Sequence, residues 1–145
     1  MQTVSQLLDV KGRQVWSVPV DSTVFEALRL MAAKDGGALV VLDGEEVVGI
    51  MSERDYARRI ALEGRASRYT PVTDIMSRDV LTVSPEHLVN ECMALMTTRK
   101  VRHLPVMEYG RLVGLISIGD LVRSIIAEQE FVIEQMTAYI AGNLA

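Results

Sequence analysis

The chain has one cysteine and two histidines among 145 residues. A lone Cys92 excludes an internal disulfide, and two histidines with one thiol leave no spacing that resembles a metal site. No apolar run approaches the ~20 residues that a bilayer-spanning helix needs. The N-terminus carries no basic segment followed by an apolar one, so no secretory leader is expected. Fifteen basic residues against 19 acidic ones give a net charge of −4. The cations are dispersed, which argues against the concentrated basic face of a nucleic-acid binder. Glycine-rich phosphate loops of the P-loop or GxGxxG type are missing, as is any Ser/His/Asp arrangement suited to nucleophilic catalysis. These absences point to a non-enzymatic cytoplasmic protein that binds neither membrane nor nucleic acid.

What the sequence does have is a repeat. Gly49-Ile50-Met51-Ser52-Glu53-Arg54-Asp55 returns as Gly114-Leu115-Ile116-Ser117-Ile118-Gly119-Asp120, at an offset of 65 residues. Residues 15–63 lie on 80–128 without a gap. Val18/Val83, Glu26/Glu91, Met31/Met96, Val41/Val106 and Arg58/Arg123 are identical pairs. Cys92 falls opposite Ala27, an alanine-like position that reads as packing.

Each copy reads as strand, helix, strand, strand, helix. The β-branched runs Val15–Val18 and Val80–Val83 predict first strands. Val24, Ala27, Leu28 and Met31 mark one side of a helix, and Val89, Cys92, Met93 and Met96 repeat it. Two strands follow in each copy, 38–42 and 46–51, then 103–107 and 111–116. They are joined at Asp43-Gly44 and Tyr109-Gly110. Val4–Val10 and Val72–Met76 predict short helical lead-ins. The implied fold is α+β, with repeats at 4–65 and 72–130. A C-terminal helical extension at 131–145 carries an apolar side and stops near Gly142-Asn143. That helix must pack on its own domain or on a second subunit.

The chemistry concentrates at the two Ser-x-x-Asp stretches. A Ser ahead of a helix with an acid three residues later forms a capping box, a sufficient structural reason for both residues. The same geometry serves a ligand. A helix start presents free N–H groups to an anion, and a carboxylate there can accept both hydroxyls of a ribose. Gly49 and Gly114 would let a flat base approach the strand ends.

These stretches, with Val72-x-Asp74-Ile75-Met76 and Arg102-His103-Leu104-Pro105-Val106, resemble a tandem pair of cystathionine β-synthase (CBS) domains, the Bateman module. The small stand-alone bacterial members, with a Ser-Glu-Arg-Asp-Tyr segment like Ser52–Tyr56, are most similar. The resemblance implies pseudo-two-fold repeats, their two small sheets packed together, with two clefts between them. It also implies adenine nucleotides as ligands: AMP foremost, with ADP, ATP, NAD(H) or S-adenosylmethionine as variants. No obligatory cofactor is implied.

On that resemblance Asp55 and Asp120 hold ribose hydroxyls, and Ser52 and Ser117 bond ribose or phosphate. Ser17 and Thr82 contact the ligand near base or phosphate, and Arg102 and His103 face phosphate. The first repeat has Gly37 and Ala38 where the second has Arg102 and His103, so Arg54, Lys34 or Arg58 would substitute there. The cleft of the second motif is therefore expected to be the stronger phosphate site. Arg58 and Arg123 read first as solvated helix-face charges. The expected function is a homodimeric regulatory module that signals to a protein partner. A constitutive interaction domain without a nucleotide is the alternative.

Overall fold

The computed structural model describes residues 1–34 and 36–144, without the side chains of Asn143 and Leu144. Helix α1 (Val4–Lys11) begins at a reciprocal cap, with Gln6 N–H donating to Thr3 Oγ1 and Thr3 N–H to Gln6 Oε1. Then come β1 (Ser17–Pro19), α2 (Val24–Lys34), β2 (Ala38–Asp43), β3 (Glu46–Ser52) and α3 (Glu53–Tyr56). Helix α3 widens into a π turn at Ala57–Ala61. The second copy supplies α4 (Val89–Arg99), β4 (His103–Glu108), β5 (Arg111–Ser117) and α5 (Ile118–Leu144). The lead-in at 72–76 is a single 3-10 turn, Val72–Asp74.

The hairpins repeat to the residue. Val41 pairs with Gly49 and Val106 with Gly114, and each hairpin slips register just after. The loops are Gly44-Glu45, one residue later than the sequence suggests, and Tyr109-Gly110. Tyr109 and Gly110 both take positive φ, 52° and 75°, as a tight two-residue hairpin turn of the I′ kind requires.

The first strands differ. β1 runs parallel to β2, with Trp16 C=O accepting from Val40 N–H and Leu42 C=O accepting from Val20 N–H. The strand expected at Val80–Val83 reduces to one bridge, Val83 to Val106. The positions of Val20 and Val40 are Pro85 and Pro105 in the second copy. A proline has no N–H to donate, so both flanking bonds are lost and only those around Val83 remain.

Each half completes the core of the other. Val4, Leu7 and Leu8 are buried with Val89, Cys92, Met96, Leu104 and Ile116 of the second copy. Val72, Ile75 and Met76 are buried with Val24, Met31, Leu39 and Met51 of the first. Backbone bonds fasten the exchange symmetrically: Val4 N–H to His87 C=O and Val89 N–H to Gln2 C=O, matched by Val72 N–H to Ser22 C=O and Val24 N–H to Thr70 C=O. At ~1.5–3 kcal/mol for each fully buried side chain, neither half would keep its core without the other's lead-in.

This exchange explains the repeated glycine. A Cβ on Gly114 would fall 2.8 Å from Leu8 Cδ1, and one on Gly49 would fall 2.8 Å from Met76 Cγ. The bare positions admit the lead-in side chains, not a flat base, which corrects the sequence reading. Cys92 is buried packing. Burial, aided by the Glu91 charge, pushes its thiol up to about 11, so it stays protonated and unreactive.

Helix α5 does not stop at Gly142 but continues to Leu144. Ala145, the end of the predicted extension, lies outside the described residues. Every side chain described from Gln129 onward is exposed, so this half of the helix does not pack on its own domain. Among the described residues no helix is long and apolar enough to cross a membrane.

Candidate ligand-binding site

A cleft of about 500 Å³ opens along the seam between the two copies, within the range of small-molecule sites. From the first copy come Ser52, Glu53, Arg54, Asp55 and Arg58, at the end of β3 and the start of α3. From the second come Asp79, Val80, Leu81, Lys100, Val101, Arg102 and His103. The seam is held beside it by Ile50 and Ser77, which exchange both backbone bonds at 3.0 and 2.8 Å.

The acid at the cleft is fixed by the cap the sequence predicts. Asp55 Oδ2 accepts from Ser52 N–H at 2.9 Å and from Ser52 Oγ at 3.0 Å, while Asp55 N–H donates to Ser52 Oγ at 3.2 Å. Asp55 Oδ1 is not used by this cap, so the capped carboxylate can still accept from a ligand's hydroxyls. Cations come from both sides, Arg54 on α3 and Arg58 on the π turn after it, Lys100 and Arg102 on the turn before β4. Lys100 closes α4 in the left-handed conformation, φ 55°. Ile50, Val80, Leu81 and Val101 give the cleft an apolar wall suited to a flat ring. His103 titrates below its ordinary 6.5, first because it is buried and next because Lys11 is near, against weaker opposite pulls from Asp120 and Asp55. It is therefore neutral at pH 7, a hydrogen-bonding group and not a cation.

The second motif has the same cap and a different fate. Asp120 Oδ2 accepts from Ser117 N–H at 2.8 Å, and Asp120 N–H donates to Ser117 Oγ at 3.2 Å. Its carboxylate is 9% exposed and already taken: Lys11 Nζ reaches Oδ2 at 2.5 Å and Arg123 reaches Oδ1 at 2.7 Å. Lys11 also donates to Leu115 C=O. Leu115 is the counterpart of Ile50, so the lysine fills the place that the Ser77 backbone takes in the first copy. Burial alone would raise the Asp120 carboxyl, but the hydrogen bonds from Lys11 and Ser117 and the Lys11 charge together hold it below 3.8.

The expected residues thus separate. Ser52, Asp55, Arg54, Arg102 and His103 meet in one cleft. Arg102 and His103 line the cleft of the first motif, while His103 also pairs in register with Ser117 of the second; this differs from the expectation that these two residues make the second motif's cleft the stronger phosphate site. The reason is topological: the start of β4 lies across the seam from the start of α3. Ser17 lines a separate groove with Arg13 and Arg111, and Thr82 is exposed, its place at the cleft taken by Val80 and Leu81. Lys34 lies 4.5 Å over the Trp16 ring. Arg58 and Arg123, read as solvated charges, are both exposed; Arg58 also lines the cleft and Arg123 also bonds Asp120. Lys100 and Lys11 were not foreseen. Lys100, two residues before Arg102, was within reach of sequence reasoning, but nothing local ties Lys11 to Asp120.

Two pseudo-symmetric repeats that share their cores and enclose a cleft at the seam define a paired-repeat module. The chain matches the CBS domain model at residues 8–62 and 72–127, and it belongs to the CBS-domain family. It is 39% identical over 151 residues to the CBS domain-containing protein CBSX3, mitochondrial, of Arabidopsis thaliana, covering 97% of this chain and 73% of that one. Among solved structures, a putative signal-transduction protein with CBS domains from Burkholderia ambifaria is 49% identical, with a TM-score of 0.82 over 88% of this chain and 96% of that one. A CBS-domain containing protein from Agrobacterium tumefaciens is 40% identical, with a TM-score of 0.79 over 85% and 98%.

Proposed function

We propose that the protein is a regulatory module that binds one adenine nucleotide in the seam cleft and signals its presence to a partner protein. The observation that carries this reading is the division of labour across the seam. A capped acid, Asp55, comes from one repeat, while Lys100, Arg102 and the apolar Val80–Leu81 wall come from the other. Ribose, phosphate and base each have a suitable partner there. Four cations (Arg54, Arg58, Lys100, Arg102) against three acids (Glu53, Asp55, Asp79) leave the cleft net positive, which favours a phosphate-bearing ligand, AMP, ADP, ATP or NAD(H), over the positively charged S-adenosylmethionine. A ligand spanning the seam ties the halves together, and only a ligand that prefers one arrangement shifts the balance of two.

In this reading the protein works as a cytoplasmic homodimer and catalyses nothing. Thermal unfolding with each nucleotide tests it. A ligand at 100 times its dissociation constant adds about 2.7 kcal/mol, roughly 5–10 °C for a domain near this size. No shift with any nucleotide would favour a constitutive interaction domain, the reading supported by the uncovered half of α5.

A further inference from the structure

Helix α5 leaves the body with one side uncovered. Ile118, Val122, Ile126, Ile133, Met136 and Ile140 recur three, four or seven residues apart along a single stripe. Val132 and Tyr139 border it, and all of these side chains are exposed, from 38% at Ile118 to 71% at Tyr139. Soluble monomers rarely leave a contiguous apolar surface of this extent in water. From Ile118 to Ile140 the stripe runs about 33 Å at 1.5 Å per residue, so its cover must be a long element, not a pocket or a short peptide.

We propose that the cover is the same helix of a second copy, antiparallel and centred on Gln129. This specifies how the homodimer named above is built. It rests on that part of the reading and not on nucleotide binding.

Three features select this occupant. The ends of the stripe read alike in both directions: Ile118 and Ile140, and Val122 and Met136, stand at equal distances either side of Gln129, and Ile126 mirrors the bordering Val132. An antiparallel copy therefore lays apolar on apolar and brings Gln129, the polar member of the stripe, to its twin, where one amide donates to the other. The charges agree with that direction. Arg123 is the one basic residue of α5, and antiparallel pairing sets it level with Gln135 and one residue from Glu134 of the other copy, whereas parallel pairing sets Glu128, Glu130 and Glu134 beside themselves. The area is sufficient as well. The stripe offers on the order of 400 Å² of apolar surface per copy. With the polar rim that makes up about two-fifths of such contacts, it approaches the roughly 800 Å² per partner of a stable interface.

Sedimentation equilibrium of the full chain and three variants tests this. The native protein should be a dimer. Ile133→Glu with Met136→Glu should raise the dimer dissociation constant by about 100-fold or more and leave the melting of the body unchanged, since both side chains are exposed. Under oxidation Gln129→Cys should form a disulfide-linked dimer and Ile140→Cys should not. The native Cys92 is buried and does not interfere. A native monomer, including one that binds neutral lipid vesicles through α5, would overturn the homodimer itself. A dimer unaffected by the double substitution would leave the homodimer and remove α5 from it. Cross-linking through Ile140→Cys would show parallel pairing and overturn the arrangement.

Discussion

Lys11 and Asp120, far apart in sequence, meet at 2.5 Å and close the second of two near-identical motifs. Among the described residues no cation bonds the matching acid, Asp55, which lines the seam cleft. One repeat has thus kept an open acid where the other has filled its place with a lysine from α1.

Replacing that lysine should undo the difference. Lys11→Met removes the charge that holds Asp120 while keeping most of the side-chain volume. Native protein should bind one nucleotide per chain, and Lys11→Met should add a second, weaker site. Native mass spectrometry reads the count directly, and two nucleotides on the native chain would refute the plug.

The glycines make a steric prediction. Gly114→Ala drives a methyl into Leu8 and should cost about 1–3 kcal/mol, as overpacked cores do. Leu8→Ala opens a cavity at a cost of about 2–5 kcal/mol. The double variant should be less destabilised than the two costs added, because each change relieves the other. Strict additivity in urea unfolding would mean that the two do not meet.

Acid should weaken the fold in two steps. His103 has its pKa depressed below 6.5, so the unfolded chain binds the extra proton first. Its contribution is complete above 6.5 and is lost as pH falls through the lower folded value. Asp120 is depressed below 3.8, and its contribution is complete above that value and lost as pH falls through the folded one. Stability followed from pH 7 to 3 should decline across both windows. His103→Asn should flatten the upper decline and Asp120→Asn the lower.

The repeat, its helices and hairpins and both capping boxes were legible because they depend on residues close in sequence. The strand at Val80–Val83 was not, since its loss depends on Pro85 and Pro105 removing two donors from a pairing that the β-branched run alone favours. The exchanged lead-ins were hidden too: Val4, Leu7 and Leu8 announce an apolar helix face without naming the core that receives it. Arg102 and His103 read as partners of the motif nearest in the chain, whereas the seam brings both to the Asp55 cleft as well. The Lys11–Asp120 contact spans nearly the whole chain and leaves no local trace.

The Asp55 cleft, and not the Asp120 site, should take the nucleotide. Calorimetric titration of ATP and AMP into Asp55→Ala and Asp120→Ala, beside the native chain, addresses it most directly. Asp55→Ala should weaken binding at least about 10-fold, the equivalent of 1.4 kcal/mol. Asp120→Ala should retain native affinity while losing about 1–2 kcal/mol of stability with its cap and its lysine partner. Unchanged affinity in Asp55→Ala, or binding abolished only in Asp120→Ala, would contradict the account.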